Sequence, residues 1–204
     1  RILEAHAAVA VDFTVPDAVR SNVEFCLANG VHAVVGTSGL GAADLDALRA
    51  AAERSSANAL VAPNFALGAV LMMSFAAQAA RHLSHVEIVE RHHERKLDAP
   101  SGTALRTARL MSEARGGRAW SGRRGDESVP GSRGGEAGGV RVHSLRVPGS
   151  VAHQEVVLGA PGETLTIRHD SIDRTSFMPG VLLAVKSVAR LDGLVVGLEN
   201  VLDL

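Results

Sequence analysis

The sequence predicts a protein of the α/β class with two parts: a parallel sheet with helices, and an α+β part built on a mostly antiparallel sheet. In the first part, short apolar runs alternate three times with segments of helical periodicity. That alternation is typical of parallel strands joined by right-handed crossovers. In the second part, three strand-like runs follow one another with Pro-Gly turns between them. Connections this short favour antiparallel neighbours.

The first part contains three predicted strands and three predicted helices. Its first strand is expected to be buried, and its first helix carries Val19, Val23 and Leu27 at the spacing of one buried helix face. The longest apolar run, 66–80, is interrupted by polar residues and is too short to cross a membrane. The strands are predicted at 9–13, 31–35 and 59–62, and the helices at about 16–29, 42–52 and 66–83.

The second part is predicted to contain a helix, a long loop, three strands and a final helix. The loop, 115–139, is rich in Gly, Arg and Ser and has no hydrophobic periodicity. The final long helix is expected to begin at Ser171 or Asp173 and to run to about 191, with Pro179 and Gly180 as an early irregularity. The other elements are a helix at 103–114 and strands at 140–147, 151–158 and 163–169.

The composition excludes several classes of function. The chain has 204 residues, 46% of them hydrophobic, and a formal net charge of -1. A near-neutral charge gives no support for binding to nucleic acid or to a membrane surface. Cys26 is the single cysteine, so no internal disulfide can form, and no cleavable signal is visible. We therefore expect a cytoplasmic protein that acts on a small molecule.

One stretch of the second part, VEIVERHHERKLDAPSGTA, contains the residues with the clearest chemistry. It is predicted to begin as a strand and to end at a helix start, with His92, His93 and Lys96 on the irregular segment between them. A histidine can donate a proton near neutral pH, and a lysine adds a fixed positive charge. The helix start presents backbone N–H groups at Gly102 and Thr103, which attract a carboxylate. The stretch predicts a proton donor beside a carboxylate-binding site.

Other interpretations of this stretch stay open. Paired histidines also occur on ordinary protein surfaces, where their role is structural. Metal binding would need a third or fourth ligand, for which Glu90 and Glu94 are available. The arginines and the lysine around them crowd the segment with positive charge, so we expect no metal.

Two loops of the first part are expected at one edge of the parallel sheet, because ligands of such sheets bind beyond the carboxyl ends of the strands. A glycine lets the backbone approach a ligand, and Thr and Ser side chains offer hydroxyls. Each loop taken alone is also compatible with an ordinary turn. The loops read Gly36-Thr37-Ser38-Gly39 and Ala62-Pro63-Asn64-Phe65.

The run from Glu90 to Ala104 resembles the signature of the dihydrodipicolinate reductase family, also called 4-hydroxy-tetrahydrodipicolinate reductases. The family pattern is E-x-H-H-x-x-K-x-D-A-P-S-G-T-A, and every fixed position of it is present. The resemblance begins at about Val9 and is strongest to actinobacterial members. It implies a partial Rossmann-type sheet and NADPH- or NADH-dependent reduction of 4-hydroxy-tetrahydrodipicolinate to tetrahydrodipicolinate, in the diaminopimelate pathway of lysine biosynthesis.

The resemblance also assigns roles to individual residues. His92 is the expected catalytic proton donor, and Lys96 is expected both to assist catalysis and to bind substrate. The family is usually homotetrameric, so a homotetramer is expected. The other expected substrate-binding residues are His93, Ser101, Gly102 and Thr103. Cofactor binding is expected from Gly36, Thr37, Ser38, Ala62, Pro63, Asn64, Phe65 and Arg174.

One family feature has no counterpart in the sequence. The family's G-x-x-G-x-x-G loop binds the pyrophosphate, whereas Gly39, Gly41 and Asp44 form only G-x-G-x-x-D, and an aspartate would repel a pyrophosphate. We therefore expect the sequence to lack the family's first strand, first helix and second strand. The alternatives are a non-catalytic fragment or a related Rossmann-type oxidoreductase acting on another small acid.

The expected domains are 1–84 for binding the dinucleotide, 85–191 for binding substrate and for oligomerisation, and 192–204 as a segment that returns to the first domain.

Overall fold

The structure is a computed structural model that describes residues 2–122 and 126–202. The chain forms two compact units, each with its own sheet. Unit 1 contains Arg1–Leu67 and Phe177–Leu204, and unit 2 contains Gly68–Ser176. The functional division at 84/85 and 191/192 stays a prediction, and its end residues 1 and 203–204 lie outside the described residues.

The described residues form nine strands and five α-helices, and the predicted alternation of strand and helix in the first part is confirmed. Short 3-10 helices cover Arg174–Phe177, Val188–Arg190 and Leu198–Val201. In chain order the elements are β1 (Val9–Asp12), α1 (Pro16–Ala28), β2 (His32–Val35), α2 (Ala42–Glu53), β3 (Ala59–Val61), α3 (Leu67–Ala79), β4 (His85–His92), α4 (Gly102–Ala114), β5 (Gly135–Ala137), β6 (Val140–Arg146), β7 (Ala152–Ala160), β8 (Glu163–Ser171), α5 (Met178–Ser187) and β9 (Leu194–Val196).

Unit 1 is built on a parallel sheet with the strand order β1-β2-β3-β9. All neighbouring strands run in the same direction, with Leu60 of β3 opposite Val34 of β2 and Val195 of β9. The carboxyl ends of β1, β2 and β3 therefore lie at one edge, as predicted. β1 was expected to be buried, but it lies at the side of the sheet with one neighbour, and Val11 is 43% exposed.

The helix α1 packs its predicted face into the core of unit 1. Val19, Val23 and Leu27 are each at most 2% exposed, which confirms the prediction from their spacing. They form one cluster with Leu48 of α2 and with Val35 at the end of β2. Burial of each such side chain contributes about 1.5–3 kcal/mol. The loops that follow the strands are thus carried by a rigid core.

Unit 2 is built on a mixed sheet with the strand order β5-β6-β4-β7-β8. The predicted, mostly antiparallel character is confirmed, because three of the four ladders that the described residues form in this sheet are antiparallel and β4–β6 is parallel. The expected pairing of β6 with β7 is wrong, because β4 lies between them. Strands two places apart are separated by about 9–10 Å, which the connection 147–151 can span. It crosses the end of β4, where the N–H of Val147 donates to the carbonyl of His92 at 2.9 Å.

The predicted loop 115–139 contains more structure than expected. Its last part forms β5, which pairs antiparallel with β6. Its first part is anchored by Arg115, whose guanidinium lies 4.4 Å from the ring centroid of Trp120 and donates to the carbonyl of Ala80 at 2.9 Å. Residues 123–125 of this loop lie outside the described residues.

The predicted long final helix is divided into a 3-10 turn, α5 and a second 3-10 turn. Proline in the first turn of α5 is tolerated because that position needs no backbone N–H. Gly180 has no space for a side chain, since a Cβ there would collide with the carbonyl oxygen of Phe65. The glycine lets α5 approach the segment 62–65 closely. Within 2–122 and 126–202, no helix is long and apolar enough to cross a membrane.

Candidate active site

The strand β4 positions the first two residues of the candidate site. Its alternation turns Glu90 and His92 to the same side of the sheet, and Glu90 is fully buried. His92 is the last residue of β4, whereas the sequence predicted it on the irregular segment that follows. Its Nδ1 lies 2.6 Å from Oε2 of Glu90. The imidazole is therefore held against a carboxylate that water does not reach.

Two further elements bind the same carboxylate. Arg146, at the end of β6, donates from Nη1 to Oε2 of Glu90 at 3.0 Å and from Nη2 to Oε1 at 2.9 Å. The backbone N–H of Ser101 donates to Oε1 at 3.2 Å. The parallel ladder explains the arrangement, because His92 and Arg146 are register partners. Since bidentate arginine–carboxylate pairs are strong and directional, β4, β6 and the start of α4 are fixed at one point.

Burial and hydrogen bonding act in opposite directions on the two titratable groups. Burial alone would raise the pKa of Glu90, but hydrogen bonds, first among them those from Arg146, outweigh it and hold the pKa below its ordinary value. Burial is also the main influence on His92 and lowers the pKa of the imidazole, against the raising effect of Glu90. The positive charges of Lys96 and Arg146 lower it further. Glu90 is thus an anion, and protonated His92 is a ready proton donor.

The helix α4 begins where the motif predicted. Ser101 is its N-cap, and the hydroxyl accepts from the N–H of Ala104 at 3.2 Å. A methyl group at Gly102 would meet no atom within 4 Å, so this turn borders open space. Helix N-termini attract anions through their N–H groups and dipole. Because Glu90 binds both His92 and Ser101, the structure brings the histidine and this turn to one carboxylate.

The other predicted substrate residues lie in the connection between β4 and α4 and in the first turn of the helix. Lys96 Nζ contacts both carboxylate oxygens of Asp98, at 2.7 and 2.9 Å, so its charge is already paired. Arg146 Nη2 donates to the carbonyl of Asp98 at 2.6 Å and ties the connection to β6. In the described part of the chain, His93 Nδ1 is buried with no hydrogen-bond partner. Thr103 is the second residue of α4.

The predicted cofactor loops lie at the carboxyl edge of the sheet in unit 1. Thr37 Oγ1 donates to Oδ1 of Asp12 at 2.6 Å, which joins the loop after β2 to the end of β1. Phe13 is 55% exposed, and its ring centroid lies 5.6 Å from that of Phe65. A Cβ at Gly36 would overlap the ring of Phe13, so a larger residue there would require that exposed ring to move. The edge presents the exposed ring of Phe13, whereas the hydroxyl of Thr37 belongs to a residue that is only 8% exposed.

The remaining predicted cofactor residues differ in their surroundings. Ser38 and Pro63 are exposed, whereas Ala62 is buried. Asn64 Oδ1 accepts a backbone N–H two residues further on at 2.9 Å, which fixes the turn after β3. Arg174 is exposed and belongs to unit 2, not to the unit that carries the two loops. The aromatic face and the hydroxyl-bearing loop fit a flat heterocycle with a polar substituent, such as nicotinamide.

Sequence reasoning missed several residues of the site. Glu90 was considered only as a metal ligand, although its i, i+2 spacing to His92 in a strand places both on one face. Arg146 and Asp98 were not singled out, and Arg146 could not be, because its contact depends on the order of strands. Among residues 2–122 and 126–202, no group of three or more His, Cys, Asp or Glu could hold a metal ion.

Parallel sheets whose carboxyl-edge loops offer glycine, hydroxyl and aromatic groups are typical of dinucleotide-dependent oxidoreductases, and a positioned histidine supplies the proton that a reduction requires. The fold and the site define the chain as a protein of that class. The family model for the dihydrodipicolinate reductase N-terminus matches residues 1–65, and the model for the C-terminus of the same enzyme matches 68–202. The chain belongs to the dihydrodipicolinate reductase family.

Individual relatives agree with the family match. The 4-hydroxy-tetrahydrodipicolinate reductase of Mycolicibacterium gilvum is 53% identical over 204 residues, which is 100% of this chain and 83% of the relative. That of Nocardia farcinica is 56% identical over 205 residues, or 98% of this chain and 82% of the relative. The predictions of an oxidoreductase, a reductase of this family, and of its NADPH or NADH cofactor are confirmed.

Solved structures extend the comparison to three dimensions. The dipicolinate-bound dihydrodipicolinate reductase from Paenisporosarcina sp. TG-14 superposes with a TM-score of 0.90 at 43% identity, covering 98% of this chain and 76% of that chain. This confirms the predicted fold class. An amine dehydrogenase from Mycobacterium smegmatis, with a TM-score of 0.59 at 14% identity over 95% of this chain and 76% of that chain, is similar in fold alone.

Proposed function

We propose that this chain reduces 4-hydroxy-tetrahydrodipicolinate to tetrahydrodipicolinate with NADPH or NADH, in the diaminopimelate pathway of lysine biosynthesis. The observation that carries the proposal is His92, bound through Glu90 to the first turn of α4. The curated relatives are named for this reaction. The Paenisporosarcina structure is named as dipicolinate-bound, which supports a site for a ring with two carboxylates.

The substrate is proposed to bind at the first turn of α4. Its two carboxylates need positive partners, which helix N–H groups and an ammonium supply. Lys96 would exchange its contact with Asp98 for one with the substrate. Their side chains are 22% and 62% exposed, so Asp98 can turn into water when Lys96 is taken. The residues proposed to bind the carboxylates are His93, Lys96, Ser101, Gly102 and Thr103.

Proton delivery is the proposed role of His92. Loss of the hydroxyl as water gives a conjugated cyclic imine, and a nicotinamide cofactor, when bound, would supply the hydride that reduces it. Conjugate addition of hydride leaves an enamide anion, which takes one proton at carbon from the imidazolium of His92 and becomes the cyclic imine product. The Nε2–H bond breaks, a C–H bond forms, and the electron pair stays on Nε2. Lys96 offsets the substrate's negative charge during this transfer. Solvent returns a proton to His92 for the next turnover.

The two loops of unit 1 are proposed to hold the nicotinamide half of the cofactor. Thr37 is fixed by Asp12 and offers its hydroxyl oxygen, and the exposed ring of Phe13 offers a flat apolar surface. The residues proposed to contact the cofactor are Gly36, Thr37, Ser38, Ala62, Pro63, Asn64, Phe65 and Arg174. Each keeps the role that the family resemblance implies.

The assembly and location complete the proposal. The protein is proposed to be a cytoplasmic homotetramer that acts on a small dicarboxylate and does not bind nucleic acid or membranes. Its mass in solution, measured by light scattering coupled to size exclusion, tests the tetramer. A monomer at assay concentrations would contradict it.

The reaction is tested by following oxidation of NADPH and of NADH by the 204-residue chain. The substrate is generated in the cuvette by the preceding synthase. Oxidation that requires the synthase and this chain together is the expected result. Oxidation with another small acid alone would favour a different oxidoreductase.

Cofactor binding distinguishes the proposed reductase from the remaining alternative, a non-catalytic fragment. NADPH is titrated into the chain, and quenching or transfer from Trp120 or direct calorimetry reports the complex. Binding with turnover is expected. If the folded chain neither binds NADPH nor turns over, that result would support a non-catalytic role.

A further inference from the structure

We propose that Glu90 and Arg146 are positioning residues that keep a proton on Nδ1 of His92, so that Nε2 is the nitrogen that exchanges a proton with the substrate. The inference rests on the proposed function for the role of Nε2. Its structural half, the location of the ring proton, can be measured without turnover.

The contact between Glu90 and His92 defines the direction of the hydrogen bond. An ionised carboxylate has no proton and only accepts, so a contact of 2.6 Å requires a proton on Nδ1 of His92. Glu90 is fully buried, so water cannot replace the histidine as its partner. In the neutral ring the other nitrogen, Nε2, is then unprotonated, and it carries a proton only in the imidazolium form.

Arg146 keeps Glu90 in the form that makes this possible. A buried carboxylate without a cation would take up a proton. It could then donate to His92 and reverse the direction of the bond. The bidentate contact, at 2.9 and 3.0 Å, holds the charge on Glu90. The same guanidinium donates to the carbonyl of Asp98, so it also fixes the connection that carries Lys96.

The charged groups that act on His92 come from three elements. Glu90, two residues back on β4, favours the imidazolium, whereas Lys96 in the following connection and Arg146 on β6 oppose it. Lys96 is itself paired with Asp98. Glu90 is therefore the anion that opposes burial and the two cations, and its removal should make His92 a poorer base.

The change Glu90→Gln tests the assignment. The amide of Gln has the same shape, but its NH₂ group must face either His92 or Ser101. In both orientations the NH₂ group also faces an N–H donor of Arg146. With the NH₂ toward His92, the ring accepts at Nδ1 and the proton moves to Nε2. The neutral ring then has the opposite tautomer, and the carboxylate no longer stabilises the imidazolium.

The measurement is long-range ¹H–¹⁵N correlation of histidine rings across a pH titration, with His92→Ala used to identify the His92 signals. For the unchanged protein, a neutral His92 protonated on Nδ1 is expected. In Glu90→Gln the pKa of His92 is expected to fall, and kcat to fall by about 10²-fold, the lower end of what positioned proton transfer contributes. The KM is expected to change little, since Glu90 does not face the substrate.

The matched control is Glu87→Gln. Glu87 lies on the same strand but pairs with Arg133 and with His143, whose Nε2 is 2.7 Å from Oε2. Its removal is expected to leave the tautomer and pKa of His92 and the kcat unchanged. Similar effects from both variants would mean that the tautomer responds to general loosening of the sheet, which contradicts the assignment.

The outcomes separate this inference from the proposed function. A neutral His92 protonated on Nε2 in the unchanged protein overturns the inference, and this measurement does not depend on any variant folding. If both the tautomer and the pKa of His92 are unaltered in folded Glu90→Gln, the inference is overturned as well. If Glu90→Gln moves the ring proton while His92→Ala retains full turnover, the positioning is correct and the proposed role of His92 is not.

Discussion

At the scale of single residues, the site depends on one buried carboxylate that faces three elements. Glu90 accepts from His92, Arg146 and the backbone of Ser101. Breaking a buried pair of this kind by removing one partner costs about 3–5 kcal/mol. The carboxylate is therefore both part of the fold of unit 2 and the group that orients the proposed acid.

The proposed acid has a direct test in His92→Ala. Loss of positioned proton transfer is expected to lower kcat by about 10²–10⁴-fold with little change in KM, because the substrate's carboxylates bind elsewhere. Steady-state kinetics with synthase-generated substrate gives both constants. His85→Ala, an exposed histidine at the other end of β4, serves as the control and is expected to match the unchanged protein. Full turnover by His92→Ala would refute the assignment.

Substitution of Lys96 is expected to change both KM and kcat. Charge-assisted hydrogen bonds contribute about 1.5–3 kcal/mol, so Lys96→Ala is expected to raise KM about tenfold or more. Its kcat should also fall, since the cation offsets charge on the substrate during proton transfer. Lys186→Ala in the last turn of α5 is the matched control. Kinetics identical to the control would exclude Lys96 from the pocket.

Which of these residues the sequence could reveal depends on their separation along the chain. The histidines, Lys96 and the helix start lie within one short stretch, so their spacing alone predicted their chemistry. Glu90 and Arg146 are 56 positions apart. They meet because β4 and β6 are neighbours, which no local pattern encodes. Lys96 was predicted as a fixed positive charge, but its pairing with Asp98 could not be predicted because it depends on how the connection folds.

At the scale of elements, the close approach of α5 to the segment after β3 depends on one glycine. Gly180→Ala would place a methyl group against the carbonyl of Phe65, a backbone atom that cannot turn aside. Overpacking of this kind costs about 1–3 kcal/mol. Because Phe65 belongs to a proposed cofactor loop, we expect weaker NADPH binding as well as a lower free energy of unfolding.

Denaturant unfolding and NADPH titration of Gly180→Ala measure the two effects. Leu182→Ala is the control on the same helix, since Leu182 is 58% exposed and its truncation leaves no cavity. It is expected to change neither quantity appreciably. Equal stability of the two variants would show that α5 can move without cost.

The positions of the helices and strands along the chain were predicted better than the order of the strands in the sheets. Apolar periodicity located α1, α2 and the strands β1, β2 and β3 of unit 1, because each buries apolar residues in a local pattern. It did not predict β9, which lies in the expected return segment. It could not place β4 between β6 and β7, since strand order depends on contacts between distant segments. It also missed β5, whose Gly-Glu-Ala sequence has little strand propensity and forms by pairing with β6.

At the scale of the whole molecule, the buried titratable groups predict an acid-sensitive fold. The folded-state pKa values of His92 and Glu90 lie below their ordinary values of 6.5 and 4.5. Between the folded and ordinary values, the unfolded chain binds more protons than the folded one. The free energy of unfolding is therefore expected to fall as the pH drops below 6.5, and further as it drops below 4.5.

Thermal midpoints across this pH range provide the measurement. In Glu90→Gln the contribution of the carboxylate is absent, so the loss on acidification below 4.5 should be shallower than in the unchanged protein. Glu87→Gln, with a partly exposed carboxylate, is expected to keep the original slope. If the thermal midpoints of all three proteins fell equally with pH, the proposed link between ionisation of Glu90 and stability would be contradicted.

The order of strands in unit 1 has a consequence for synthesis on the ribosome. β9 covers the free side of β3 and is translated after all of unit 2. A nascent chain therefore presents the unpaired, apolar edge of β3 while the intervening residues are being made, and open edges of this kind invite pairing with other chains. Unit 2 is contiguous in sequence and can fold first. Unit 1, although its synthesis begins earlier, therefore completes its fold after unit 2.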